Sequence, residues 1–128
     1  MSIPSTPSGN VVIAVDDDVA VLASLKFALE TEGFSVEGYR CGEDLLAVQD
    51  HGRAACLIVD LKLPGMNGLD LVAALRARGV RCPAILITTA PPAQARRRAL
   101  DGGLAIVEKP LLGNTLAEAI QAALATGP

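Results

Sequence analysis

The sequence predicts a doubly wound α/β domain built on a five-stranded parallel sheet. Three observations carry this. Short apolar runs alternate with segments of helical spacing, five times within 128 residues. The runs "VVIAV" (11–15), "CLIV" (56–59) and "AILIT" (84–88) are continuous rather than alternating. Strands of that kind are covered on both faces, as in a parallel sheet. Right-handed crossovers between such strands then place helices on both sides.

The elements follow in order. "VVIAV" (11–15) is the first strand and runs into acids. From Val19 to Glu32 the stripe Val21, Leu22, Leu25, Ala28 and Leu29 has helical spacing, and Gly33 ends that helix. "FSVEGY" (34–39) alternates weakly, the pattern of an edge strand. Gly42 to Gln49 carries Leu45 and Leu46 and reads as a short helix. "CLIV" is the third strand. Asn67 is placed to cap a helix reaching about Arg78, with Leu71, Val72 and Leu75 facing inward. "AILIT" is the fourth strand. Pro92 can start a helix to about Asp101, since proline is tolerated in a first turn. "LAIVE" (104–108) is the fifth strand. Thr115 and Glu118 form a T-x-x-E capping box, and the helix behind it buries Leu116, Ala119, Ile120 and Ala123. The expected organisation is a disordered tail over residues 1–10 and one domain over 11–126, with no internal linker or repeat.

Composition narrows the function classes. Apolar residues make up 51% and aromatics 2%, so the core is built from Val, Ile, Leu and Ala. The net charge of -3 does not suit direct nucleic-acid binding. No apolar run is long enough to span a bilayer. The N-terminal "MSIPSTPSGN" lacks the basic and apolar regions of a secretory signal. Cys41, Cys56 and Cys82 are scattered, with no C-x-x-C pair, which fits small buried residues in a reducing cytoplasm.

Ligands of such sheets bind outside the carboxyl ends of the strands. The first strand ends in Asp16-Asp17-Asp18, the third in Asp60, the fourth in Thr88-Thr89 and the fifth in Glu108-Lys109-Pro110. If these strands are neighbours, the groups converge on one pocket. Clustered carboxylates repel unless a cation is present. Mg²⁺ takes oxygen ligands, typically one or two carboxylates plus phosphate oxygens. Asp17 and Asp60 can supply the carboxylates, and the Lys62 carbonyl a further ligand. The other Asp60 oxygen stays free to attack phosphorus. Lys109 can pair with phosphate oxygens away from the metal, and the Thr88 hydroxyl can donate to another.

The motifs "VDDD" (15–18), "VDLKLPGMNGLDL" (59–71), "ILITTA" (85–90) and "EKP" (108–110) together resemble the receiver domain of two-component response regulators, over roughly Val11 to Ala125. The separation of 43 residues from Asp17 to Asp60 resembles the family too. "VAVLASL" and "CGEDLL" resemble the branch that often carries a helix-turn-helix output domain, as in nitrogen-fixation regulators. The resemblance implies a flavodoxin-like sheet in the order 2-1-3-4-5. It implies that Asp60 is phosphorylated by a histidine kinase or a histidine phosphotransfer protein, with Mg²⁺ at Asp16, Asp17 and Asp60. It implies a cis bond at Lys109-Pro110, a cytoplasmic location, and an output partner on the face of the fourth helix, fifth strand and fifth helix. No output domain follows within 128 residues, so a stand-alone regulator or the receiver portion of a longer chain is expected.

The chain departs from the family's pattern at identifiable places. Ile106 stands where a switching Tyr or Phe is common, three residues before the lysine. Thr88 and Lys109 are 21 residues apart, one fewer than usual. Pro91-Pro92 stiffens the loop after Thr88, and Leu111 replaces a frequent Phe. The "RRR" run (96–98) reads as a solvated helix surface, and His51 as a surface residue. Two rival readings exist. A phosphatase of the haloacid-dehalogenase type would use Asp16 and Asp18, but that motif wants Thr or Val where Ala20 stands. A degenerate receiver that only binds a partner is opposed by the retained Asp16, Asp17, Asp60, Thr88 and Lys109.

Overall fold

The structure is a computed structural model and describes residues 11–48, 54–111 and 115–126. The tail 1–10, Gln49 at the expected end of the second helix, and His51 lie outside the described residues. Five strands and five helices alternate: β1 Val11–Val15, α1 Val19–Thr31, β2 Ser35–Tyr39, α2 Gly42–Leu46, β3 Ala54–Asp60, α3 Gly68–Ala77, β4 Ala84–Thr88, α4 Ala93–Asp101, β5 Ala105–Glu108 and α5 Thr115–Thr126. The strands form one parallel sheet in the order β2-β1-β3-β4-β5. The order is the expected one, and the weakly alternating β2 is an edge strand. Among the described residues, no helix is long and apolar enough to cross a membrane.

Alternation along each strand divides the core into two layers. On one side, Val12, Ala14, Cys56, Ile58, Ile85 and Ile87 pack against Leu25 and Leu29 of α1 and Leu116 and Ile120 of α5. On the other, Ile13, Val15, Leu57 and Val59 pack against Leu45 of α2 and Leu71, Val72 and Leu75 of α3. Fully burying one such side chain stabilises the fold by about 1.5–3 kcal/mol. A smaller cluster of Leu61, Leu69, Leu86, Ala95 and Ala99 seats α4.

Several boundaries differ from the sequence reading for physical reasons. Ala28 belongs to the expected α1 stripe but is exposed, because the buried face narrows to Leu25 and Leu29. The second helix ends at Leu46 rather than Gln49, with Ala47 as its cap. Pro92 is the N-cap of α4, with extended ψ of 157°, and not its first helical residue. β3 begins two residues before "CLIV", because Ala54 pairs with Val11 across a register shift in β1.

Candidate functional site

The parallel register brings the carboxyl ends of β1, β3, β4 and β5 to one edge. Val15 pairs with Val59, Asp60 with Ile87, and Thr88 with Glu108. Asp16, Asp60, Thr88 and Lys109 therefore emerge side by side. Asp17 lies one residue further along the loop.

The site is acidic and part-buried. Asp16 is fully buried and Asp60 is 5% exposed, whereas Asp17 is open to solvent. One carboxylate oxygen from each of Asp16, Asp17 and Asp60 lies within 4.8 Å of the others, an arrangement that can hold a metal ion. The donors are all hard oxygens, the set that Mg²⁺ or Ca²⁺ prefers. Lys109 reaches in from the end of β5. Its Nζ donates to Asp16 Oδ2 at 3.1 Å and lies 3.3 Å from Asp60 Oδ2. One ammonium thus serves two buried carboxylates, with a third beside them. Burial, and then the charge of Asp16, push the Asp60 carboxyl above its ordinary value, although Lys109 and the Lys62 amide pull the other way. Burial alone would lower the Lys109 ammonium, but its hydrogen bond to Asp16 and the charges of Asp16 and Asp60 raise it.

The surrounding loops hold these groups in place. The Asp18 amide donates to Asp16 Oδ1 at 2.9 Å. The Lys62 amide donates to Asp60 Oδ1 at 3.4 Å. The Lys109 amide donates to the Thr88 carbonyl at 2.8 Å, and the Lys109-Pro110 bond is cis. Asp18 is occupied elsewhere: Oδ1 accepts from the Ala20 and Val21 amides and caps α1. That use argues against an Asp16–Asp18 phosphatase pair. Thr88 is 1% exposed, and its Oγ1 has no hydrogen-bond partner among the described residues. A buried hydroxyl in that state costs free energy until something fills its valence.

One residue that positions the site escaped the sequence reading. Gly68 opens α3, and its amide donates to the Leu61 carbonyl at 2.9 Å. A Cβ there would overlap the Asp60 carbonyl oxygen and approach Val59 Cγ1 to 2.9 Å. Only glycine lets α3 begin so close to the end of β3. The signal was present as "NG" at 67–68 behind the turn Pro64-Gly65, where Gly65 has φ of +76°.

Fold and site together define an α/β domain with an acidic side-chain cluster, contacted by a lysine, at the carboxyl edge of a parallel sheet. The family model of the response regulator receiver domain matches residues 12–121, and the chain belongs to that family. Curated relatives include the transcriptional regulatory protein FixJ of Rhizobium meliloti, 34% identical over 85% of this chain and 54% of that protein. The response regulator protein TodT of Pseudomonas putida is 32% identical over 93% of this chain and 53% of that protein. The chain thus spans about half the length of these relatives. Among solved structures, a CheY-like receiver domain from Methanospirillum hungatei superposes with a TM-score of 0.84 at 29% identity, covering 91% of this chain and 94% of that one. The chemotaxis protein CheY4 of Vibrio cholerae gives 0.82 at 26% identity, covering 89% and 98%. The chain is therefore a signalling domain of the two-component type.

Proposed function

We propose that Asp60 is the phosphoacceptor of this receiver domain. The observation that carries the reading is the Asp60 carboxylate, buried at a strand end with Lys109 Nζ at 3.3 Å and the Asp16 and Asp17 oxygens beside it. An Asp60 oxygen attacks the phosphorus of a phosphohistidine on a histidine kinase or histidine phosphotransfer protein. The P–O bond forms as the P–N bond breaks, and the electron pair returns to the donor imidazole. Lys109 exchanges part of its contact with Asp16 and Asp60 for a phosphoryl oxygen. The Thr88 hydroxyl donates to another, which satisfies an otherwise unpartnered group. Asp16, Asp17 and Asp60, with the Lys62 carbonyl, would hold Mg²⁺, whose charge offsets that of the carboxylates and the phosphoryl oxygens. Water later cleaves the acyl phosphate and releases inorganic phosphate. The apolar pocket of Ala20, Val21, Ser24, Leu25, Lys109, Pro110 and Leu111 borders the lysine and gives the donor a surface to approach. The domain acts in the cytoplasm, and its output passes through the α4, β5 and α5 face.

The test is incubation with Mg²⁺ and acetyl phosphate, followed by intact-mass measurement. One phosphoryl group is expected on the wild-type chain and none on Asp60→Asn. Labelling that persists unchanged in Asp60→Asn would overturn the assignment.

A further inference from the structure

The helix α4 is held in an unusual way. Its sequence "AQARRRALD" buries only two methyl-sized side chains, Ala95 and Ala99. Two ion pairs add to that thin contact. Arg96 Nη2 donates to Glu108 Oε2 at 2.8 Å, and Arg98 Nη2 donates to Asp70 Oδ1 at 2.8 Å. The partners lie on different parts of the site's frame. Glu108 ends β5 and immediately precedes Lys109, whose amide is bonded to the Thr88 carbonyl. Asp70 lies in the first turn of α3, where its amide is fixed by the Asn67 side chain at 2.9 Å. So one arginine of α4 is tied to the segment carrying the lysine, and the other to a capped helix. Ile106 is the position from which a side chain would have to rotate, and it already packs against the cluster that seats α4. A β-branched side chain there is stiff at χ1.

We propose that the Arg96–Glu108 ion pair, and not the side chain at 106, transmits the state of Asp60 to α4, with Arg98–Asp70 as the fixed pivot. The proposal rests on Asp60 being the phosphoacceptor. When Lys109 turns toward a phosphoryl group, the adjoining Glu108 moves with the end of β5. Arg96 follows or lets go. Asp70 stays put, because α3 is buried along Leu71, Val72 and Leu75. The response of α4 is then a tilt about Arg98. The Arg96–Glu108 pair is exposed and salt-screened, so it can exchange at small free-energy cost, whereas the Arg98 end of the helix is kept seated by the adjoining, fully buried Ala99.

The experiment is amide chemical-shift mapping with and without Mg²⁺ and beryllofluoride, which occupies the place of a phosphoryl group. In the wild-type chain, shifts are expected beside Asp60 and, more weakly, across Ala93 to Asp101. In Arg96→Gln and in Glu108→Gln, the shifts beside Asp60 should persist while those in α4 fall by at least half. The charge-swapped chain, Arg96→Glu with Glu108→Arg, should recover them. Rescue by the swap ties the α4 response to the ion pair itself rather than to either side chain alone, and a pair that only held α4 in place would leave the beryllofluoride-dependent α4 shifts unchanged in the single variants. Unchanged α4 shifts in both single variants, or no α4 shift in the wild-type chain, would overturn the proposal. Absence of shifts beside Asp60 in the wild-type chain would instead overturn the phosphoacceptor reading.

Discussion

At the scale of residues, the acidic cluster is a place where stability and function oppose each other. The Asp60 carboxyl is raised by burial and by Asp16. A raised folded-state value means that this group's contribution is fully present below the unfolded value and lost as pH rises through the folded one. At neutral pH the ionised Asp60 therefore costs the metal-free fold stability. Asp60→Asn is expected to raise the melting temperature of the metal-free protein by a few degrees, since about 1 kcal/mol moves a domain of this size by that much. Lys109 keeps Asp16 as its partner in that variant. An unchanged or lower melting temperature in chelator-treated protein would contradict this. The acids also divide by role. Asp17 has its carboxylate in the cluster, whereas Asp18 spends its carboxylate on the α1 amides. In Mg²⁺ titrations, Asp17→Asn should weaken binding more than tenfold and Asp18→Asn much less, the latter costing about 1 kcal/mol of helix capping instead. Cys56 completes the residue-level picture. It is fully buried, and burial pushes its thiol up to about 12. It should stay unmodified by a thiol reagent at pH 8 until the chain is unfolded, which mass spectrometry of the labelled protein will show.

At the scale of elements, α3 and α4 contrast. α3 buries Leu69, Leu71, Val72 and Leu75, and its N-terminus is capped by Asn67. α4 buries two alanines, and its N-cap Pro92 makes no side-chain cap bond. Little apolar contact implies a low local opening free energy. Native-state hydrogen exchange is expected to be at least tenfold faster in the interior amides of α4 than in those of α3. Equal protection would mean that the two ion pairs hold α4 as firmly as the core holds α3. This contrast also explains what the sequence made legible. Most strands and buried helix faces could be read directly, because runs such as "AILIT" are too short for a helix and stripes such as Leu71, Val72 and Leu75 keep helical spacing, whereas a small residue such as Ala28 fits the stripe without being buried. The ends of strands were legible as a site because the carboxyl edge of a parallel sheet collects them. The partners of Arg96 and Arg98 were not, since ion pairs 12 and 28 residues apart in sequence leave no periodic trace. Gly68 was missed for a related reason: its necessity comes from a backbone oxygen of another element.

At the scale of the whole molecule, the parallel sheet places a charge-dense site on top of a continuous apolar core, so occupancy of the site is linked to folding. Asp16 and Asp60 are anchored at the ends of the two strands that pair from Val11↔Ala54 to Val15↔Val59. Asp60, the last residue of β3, also pairs with Ile87 of β4. Unfolding separates Asp16 from Asp60 by the intervening chain, and the cluster ceases to exist. A divalent ion held by this cluster would bind the native state and have no comparable site in the unfolded chain. Mass action then gives a stabilisation of about 2.7 kcal/mol at a free Mg²⁺ concentration 100 times the dissociation constant. Burial, and then the charge of Asp16, raise the Asp60 carboxyl, and a bound cation would offset both, so the gain should be larger at pH 7 than at pH 4, where protons compete with the metal for the Asp60 carboxylate. The expected result is a melting temperature that climbs with Mg²⁺ at pH 7, climbs less at pH 4, and climbs little at either pH in Asp17→Asn. Differential scanning calorimetry across a Mg²⁺ series measures this. A melting temperature that ignores saturating Mg²⁺ at pH 7 would show that the three carboxylates do not act together as a metal site.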